Sequence, residues 1–227
     1  MLLSTLLASL AACSFPAPSS TPPPYDLSGI ERVVRAELED LQGDATVILR
    51  QNGQDLYSFT AGAIAPDTQV RLASLTKTIS AGVILSMVDS GDLALDETLA
   101  AGLPLLFGGK PTGQATVLDC WSMRHGIDAP LPYEHLKGFG HLASVTAIAR
   151  QGTSEFQPGT KLDYDGKGMQ SSALLAAKRG GLDWEDLALE RVLGPCGMDG
   201  ADFGQFGKNP AVAGGLRASA LEVMAYA

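Results

Sequence analysis

A hydroxyl and an amine stand three residues apart in Ser74-Leu75-Thr76-Lys77. On a helix that spacing places both side chains on one face, a turn apart. Acyl transfer by serine needs a base to take the hydroxyl proton, and a neutral Lys serves where burial or neighbouring cations depress its pKa. A helix N-terminus adds a favourable field for a developing oxyanion, with the Ser74 amide as candidate donor. Spacing alone is weak ground, since Ser-x-x-Lys arises about once by chance in a chain of this length. Its bland alternative, an N-cap Ser beside an exposed Lys, is the better reading until more residues are considered.

Other reactive residue types are sparse. His125, His135 and His141 show no helical ligand spacing and no Asp partner by motif, so surface or loop roles are expected and no metal site is indicated. No cofactor motif is present. The net charge of −9, with no basic cluster, excludes nucleic acid and acidic lipid surfaces as partners. Cys120 and Cys196 read most simply as buried free thiols, although a disulfide is allowed in an oxidising envelope.

The elements that must position Ser74 are legible in outline. Residues 1–13 read as an export signal: Leu2 to Ala12 is apolar but too short for a bilayer core of roughly 30 Å. Its end, Leu10-Ala11-Ala12-Cys13, resembles a bacterial lipobox with Cys13 as the lipidated residue. A plain secretory cleavage site is the alternative. No Lys or Arg precedes the run, which places the expected start further upstream. Residues 14–27 form a Pro-rich tether, including Pro22-Pro23-Pro24. The domain then runs over 28–227. Ser28 to Glu31 has capping-box spacing, with Ile30, Val33, Val34, Leu38 and Leu41 on one face and Gly43 as the stop. Strands over Ala45–Arg50 and Asp55–Thr60 flank Asn52-Gly53, a strong hairpin turn. From Ser74 to about Ser90 an apolar stripe of Ile79, Val83, Ile84, Met87 and Val88 predicts a largely buried helix. Gly82 inside it predicts close packing against another element. Further helices are expected near residues 115–123, 142–151, 168–179 and 184–193. The acidic residues from Asp183 to Glu190 read as a solvated face. Ser219 to Glu222 is a second capping box that starts a final helix.

Several ordered segments together resemble one family. Arg71 to Thr78 is similar to the nucleophile segment of class C serine β-lactamases, related esterases and D-alanyl-D-alanine carboxypeptidases. Gly91 to Glu97 resembles that family's post-helix loop. Trp121 to Ile127 resembles the next helix end, with His125-Gly126 where Ser-Gly is common. Pro158 to Tyr164 resembles the approach to the second catalytic motif. Leu193 to Met198 resembles Pro-Leu-Gly-Met, and Ala213 to Ala220 a later loop and helix start.

The resemblance implies an α+β, β-lactamase/transpeptidase-like fold: a helical region plus an incomplete antiparallel sheet formed by the N-terminal hairpin alone. It implies that Ser74 is acylated, that Lys77 shares its proton, and that Tyr164 relays the proton to the leaving group. Gly166 stands where an Asn commonly contacts the substrate amide, a departure that favours esterase-like relatives over true lactamases. No Lys/His-x-Gly third motif follows Tyr164, and Lys110-Pro111-Thr112-Gly113 has the wrong place in the order. A C-terminally truncated envelope hydrolase is therefore expected, periplasmic or lipid-anchored in a bacterium. Its substrate would carry an ester, a D-amino-acid amide or a β-lactam. The competing expectation is a non-catalytic envelope lipoprotein that keeps the fold for binding.

Overall fold

The computed structural model describes residues 25–129, 138–204 and 207–227. The expected signal, Cys13, most of the expected tether and His135 lie outside the described residues. The chain divides into two compact units, residues 1–65 and 66–227.

In the first unit helix α1 (Ser28–Leu41) precedes strands β1 (Ala45–Gln51) and β2 (Gln54–Ala61). Its start differs from the capping-box expectation. Ser28 lies inside the helix and makes no cap, whereas the Asp26 carboxylate accepts the Ser28 N–H at 3.0 Å. Gln42, not Gly43, takes the left-handed exit conformation, with φ 49°. Val33 is exposed, which narrows the expected apolar face to residues such as Ile30, Val34 and Leu38. Arg35 lies 4.8 Å over the Phe59 ring. The hairpin turn is as expected: Asn52 (φ 52°) and Gly53 (φ 75°) are both left-handed, the requirement of a type I′ turn. One register shift, between Leu49 and Arg50, bulges the ladder.

The second unit is mostly helical: α2 (Thr76–Asp89), α3 (Leu99–Gly102), α4 (Pro104–Phe107), α5 (Val117–Trp121), α6 (His141–Gln151), α7 (Lys167–Gly180), α8 (Trp184–Ala188) and α9 (Ala220–Tyr226). Strand pairing goes beyond the expected hairpin. Two short antiparallel ladders join β3 (Val70–Arg71) to β6 (Arg217–Ala218), and β4 (Ile127–Asp128) to β5 (Thr153–Ser154). Both are two residues long, too short for an alternation pattern to betray them. The helix expected over 184–193 splits, since Leu189–Leu193 widens into a π turn closed by Gly194 N–H onto the Leu189 carbonyl. Asp183 caps α8, while Trp184 and Leu187 are fully buried beneath its acidic outer residues.

Helix α2 runs through the core of this unit. Ile79, Val83, Ile84 and Met87 are at most 1% exposed, and each contributes about 1.5–3 kcal/mol by leaving water. Gly82 is packed closely, as its sequence position suggests: a Cβ there would lie 2.9 Å from the Tyr226 hydroxyl. That hydroxyl donates to the Thr78 carbonyl at 3.1 Å, so α9 docks on α2. Both bonds of the Ser219–Glu222 capping box form. Cys120 is buried and Cys196 half-buried; both are free thiols, and burial pushes both pKa values up. Among the described residues no helix is long and apolar enough to cross a membrane.

Candidate active site

Ser74 sits in a single 3₁₀ turn, Ala73–Leu75, immediately before α2. Its hydroxyl caps no backbone N–H of that turn, so the bland N-cap reading of Ser74 does not hold. Ala73 adopts φ 46°, a left-handed conformation that costs a residue with a Cβ about 1–2 kcal/mol. The cost is borne because both sides of the turn are fixed. Leu72 N–H donates to the Leu216 carbonyl at 3.0 Å, and the Thr76 hydroxyl accepts the Leu216 N–H at 3.3 Å. The β3–β6 ladder continues the same seam.

Two side chains converge on one oxygen, Ser74 Oγ. Lys77 Nζ donates to Ser74 Oγ at 3.1 Å and to the Ala213 carbonyl at 2.8 Å. The Tyr164 hydroxyl donates to Ser74 Oγ at 2.7 Å. Lys77 Nζ also lies 4.8 Å from the centre of the Tyr164 ring. The Tyr164 hydroxyl is held below the usual phenol range, first by its bond to Ser74, then by hydrogen bonding and charge from Lys77. Ser74, Lys77 and Tyr164, predicted from sequence, thus meet in space. Gly166 starts α7, and its carbonyl accepts the Gln170 N–H at 2.9 Å; it brings no side chain to the site. Lys110 has a separate role, donating to the Ala149 carbonyl at 2.6 Å beside the 3₁₀ turn Pro111–Gln114.

The seat of Lys77 was not visible in the sequence. Ala213 lies on a loop shaped by a buried polar network. Gln170, 0% exposed, accepts the Val212 N–H at 3.1 Å and donates to Asn209 Oδ1 at 2.7 Å. Asn209 Oδ1 also accepts the Ala211 N–H at 3.1 Å, and buried Ser80 donates to the Val212 carbonyl at 2.8 Å. The Gly214 and Gly215 N–H groups close onto the Ala211 carbonyl at 2.8 and 2.7 Å. Asn209 and Gln170 carry no motif; a lone buried amide gives no signal until its partners are known. On the far side of Lys77 an open, mainly apolar cleft is walled by Gly82, Leu85, Trp121, Met169 and Tyr226.

Of the surface or loop roles expected for the histidines, His125 keeps the loop but is buried, and His141 opens α6. His125 is 1% exposed, with Nε2 3.8 Å from Asp165 Oδ1. His141 is half-buried, and its Nε2 lies 2.9 Å from the Gln170 carbonyl. Both rings are drawn inward because each covers backbone at the start of α7. Among the described residues no group of three or more His, Cys, Asp or Glu could hold a metal ion.

The chain is 25% identical over 201 residues to a D-aminopeptidase of Brucella anthropi, an alignment covering 79% of this chain and 36% of that protein. A Brucella ovis D-aminopeptidase is likewise 25% identical, over 203 residues covering 80% of this chain and 37% of that protein. The chain therefore spans little more than a third of the length of these relatives. Among solved structures, a candidate beta-lactamase from Bacteroides dorei superposes with a TM-score of 0.79 at 26% identity, covering 89% of this chain and 62% of its own. A class C beta lactamase superposes with a TM-score of 0.75 at 19% identity, over 88% of this chain and 63% of its own, which speaks to fold. The Beta-lactamase family model matches residues 30–222, and the chain belongs to that family of serine hydrolases.

Proposed function

We propose that Ser74 is acylated by a small substrate carrying an ester, a D-amino-acid amide or a β-lactam, in a protein exported to the bacterial envelope. The observation that carries this is the double approach to Ser74 Oγ, from Lys77 Nζ at 3.1 Å and the Tyr164 hydroxyl at 2.7 Å. Once the exposed Tyr164 hydroxyl has passed its proton to solvent water, the phenolate accepts the Ser74 hydroxyl proton as Oγ bonds to the substrate carbonyl carbon and the carbonyl π pair moves to its oxygen. Lys77 steadies the phenolate by its hydrogen bonding and charge, which favour the ionised form of Tyr164. As the carbonyl re-forms, the bond to the leaving oxygen or nitrogen breaks, and Tyr164 returns the proton to that atom. Water then attacks the acyl carbon along the reverse of this route. The Ser74 amide is a candidate donor to the oxyanion. Gly166 leaves the amide of a substrate without a side-chain partner from that position, which supports esters over amides. Export rests on the apolar start and Cys13, which support a lipid-anchored, periplasm-facing chain.

The test is labelling by a fluorescent fluorophosphonate and a fluorescent penicillin. Wild type should label and Ser74→Ala should not. Equal labelling of both proteins would remove Ser74 as the nucleophile. Labelling by the fluorophosphonate alone would restrict the substrate to esters or amides. No labelling of either would leave the non-catalytic binding reading in its place.

A further inference from the structure

The segment before Tyr164 hangs on a short platform. The carbonyls of Met123, Arg124 and Gly126 accept the N–H groups of Asp163 (2.8 Å), Gly159 (2.9 Å) and Glu155 (2.9 Å). Met123 (φ 57°) and Gly126 (φ 66°), both left-handed, bracket the platform. At Gly126 a Cβ would lie 2.3 Å from the Phe156 carbonyl oxygen, so the two backbones approach as closely as glycine allows.

Between those turns the His125 ring points inward. Its Nδ1 accepts the Ile127 N–H at 3.0 Å, which places the ring proton of the neutral form on Nε2. Nε2 is fully buried without a hydrogen-bond partner, facing Asp165 Oδ1 at 3.8 Å. Beneath the ring is Gly168 in the first turn of α7, where a Cβ would lie 2.3 Å from His125 Cδ2. The imidazole therefore fills a gap that a Ser would leave empty and that any larger residue at 168 would close. Asp165 in turn accepts from both the main-chain N–H and the Nζ of Lys167. Burial holds the ring below the usual histidine range, with Lys167 acting in the same sense and Asp165 and Asp163 opposing, so the wedge is neutral at physiological pH.

We propose that His125 is a positioning residue for the Tyr164 hydroxyl: wedged between Gly168 and Asp165, it fixes the Asp165–Lys167 turn and so the approach of Tyr164 to Ser74. The assignment rests on the reading of Ser74, Lys77 and Tyr164 as an acylation centre. It goes beyond that reading in giving His125 and Gly168 one shared role.

The test uses His125→Asn, His125→Ser, Gly168→Ala and the double variant His125→Ser/Gly168→Ala in the full chain. His125→Asn keeps an acceptor for the Ile127 N–H but loses the Nε2 end, which separates folding from positioning. Two readouts are needed: ultraviolet difference titration of the Tyr164 phenol against Tyr164→Phe, and the rate of fluorophosphonate labelling at Ser74. Folded His125→Asn and Gly168→Ala should titrate Tyr164 closer to 10, the ordinary phenol value, and label about tenfold more slowly, a factor worth roughly 1.4 kcal/mol in barrier. In the double variant the added methyl enters the vacated space, so its effect should be smaller than the two single effects combined. Unchanged Tyr164 titration and labelling in folded His125→Asn and Gly168→Ala would overturn the assignment, as would strictly additive effects. If the Asn variant fails to fold, Gly168→Ala alone decides the question by the same two readouts. Should wild type itself fail to label, the acylation reading fails, while the phenol titration still reports whether His125 holds Tyr164.

Discussion

Gln170→Met removes one buried amide while nearly conserving volume, and its consequences can be followed bond by bond. Asn209 Oδ1 keeps the Ala211 N–H, and the Ser144 hydroxyl, 3.3 Å from Gln170 Nε2, keeps its bond to the His141 carbonyl. The Val212 N–H loses the Gln170 carbonyl oxygen that accepts it at 3.1 Å. An orphaned buried N–H costs about 1–3 kcal/mol, and the lost Gln170–Asn209 bond about 1 kcal/mol more. The sum is roughly 2–4 kcal/mol, or about 5–15 °C in Tm for a cooperative unit of this size. The functional effect travels through Val212 to its neighbour Ala213, whose carbonyl seats Lys77 at 2.8 Å. Labelling of Ser74 should therefore slow by about tenfold or more even below the melting transition. Differential scanning fluorimetry and timed fluorophosphonate labelling on one protein stock measure both. A Tm within about 2 °C of wild type, together with an unchanged labelling rate, would show that the Gln170 network neither stabilises the loop nor places Ala213; both thresholds are small against the effects expected above.

Two further outcomes follow from the titrating groups. Lys77→Met removes the cation that helps hold the Tyr164 phenol below its ordinary range, so the Tyr164 titration midpoint should rise toward 10; a midpoint that stays put would show that Lys77 does not act on the phenol. Burial pushes His141 down to about 4, so between about pH 6.5 and pH 4 the unfolded chain binds more protons than the folded one. Stability from this group is complete above pH 6.5 and is lost as pH falls through 4, by an upper bound of about 3 kcal/mol. His141→Gln should flatten that part of the Tm–pH curve, and an unaltered acid slope would assign the loss to other groups.

Local rules carried the sequence a long way where one interaction decides the outcome. Asn52-Gly53 set the hairpin because both φ angles must be positive there. The α2 stripe set its burial, with Leu85 off the stripe and exposed. The Ser219–Glu222 pair formed the cap its spacing implied. At Ser28 two local options competed, and Asp26 won by accepting the Ser28 N–H from just outside the helix. His125 is on a loop, as one expected role has it, but its burial was hidden for a different reason. Its burial depends on a glycine 43 positions later (125 to 168) leaving room for the ring, a fact no window around His125 contains. The same holds for Ala213, whose contribution is a carbonyl and so has no side-chain signature.

That contrast explains why the chemistry proposed for Ser74 sits on an exposed residue while the groups proposed to control it lie inside. Tyr164 meets Ser74 across 90 residues of chain, and Lys77 meets the Ala213 carbonyl across 136. Neither contact can form until α2, α7 and the 209–216 loop have packed, because loop closure over such separations is repaid by the core rather than by one hydrogen bond. Ser74 and Lys77 by contrast are three residues apart and approach within a single turn. The pair alone is thus a local accident that many sequences could share. In the proposed mechanism, what would turn it into a reaction centre is the distant pair of supports: a phenol positioned through the His125–Gly168 contact, and the Ala213 carbonyl on the loop that Gln170 holds at Val212. Perturbing either support should impair Ser74 without touching Lys77 or Tyr164, the two side chains that reach its hydroxyl.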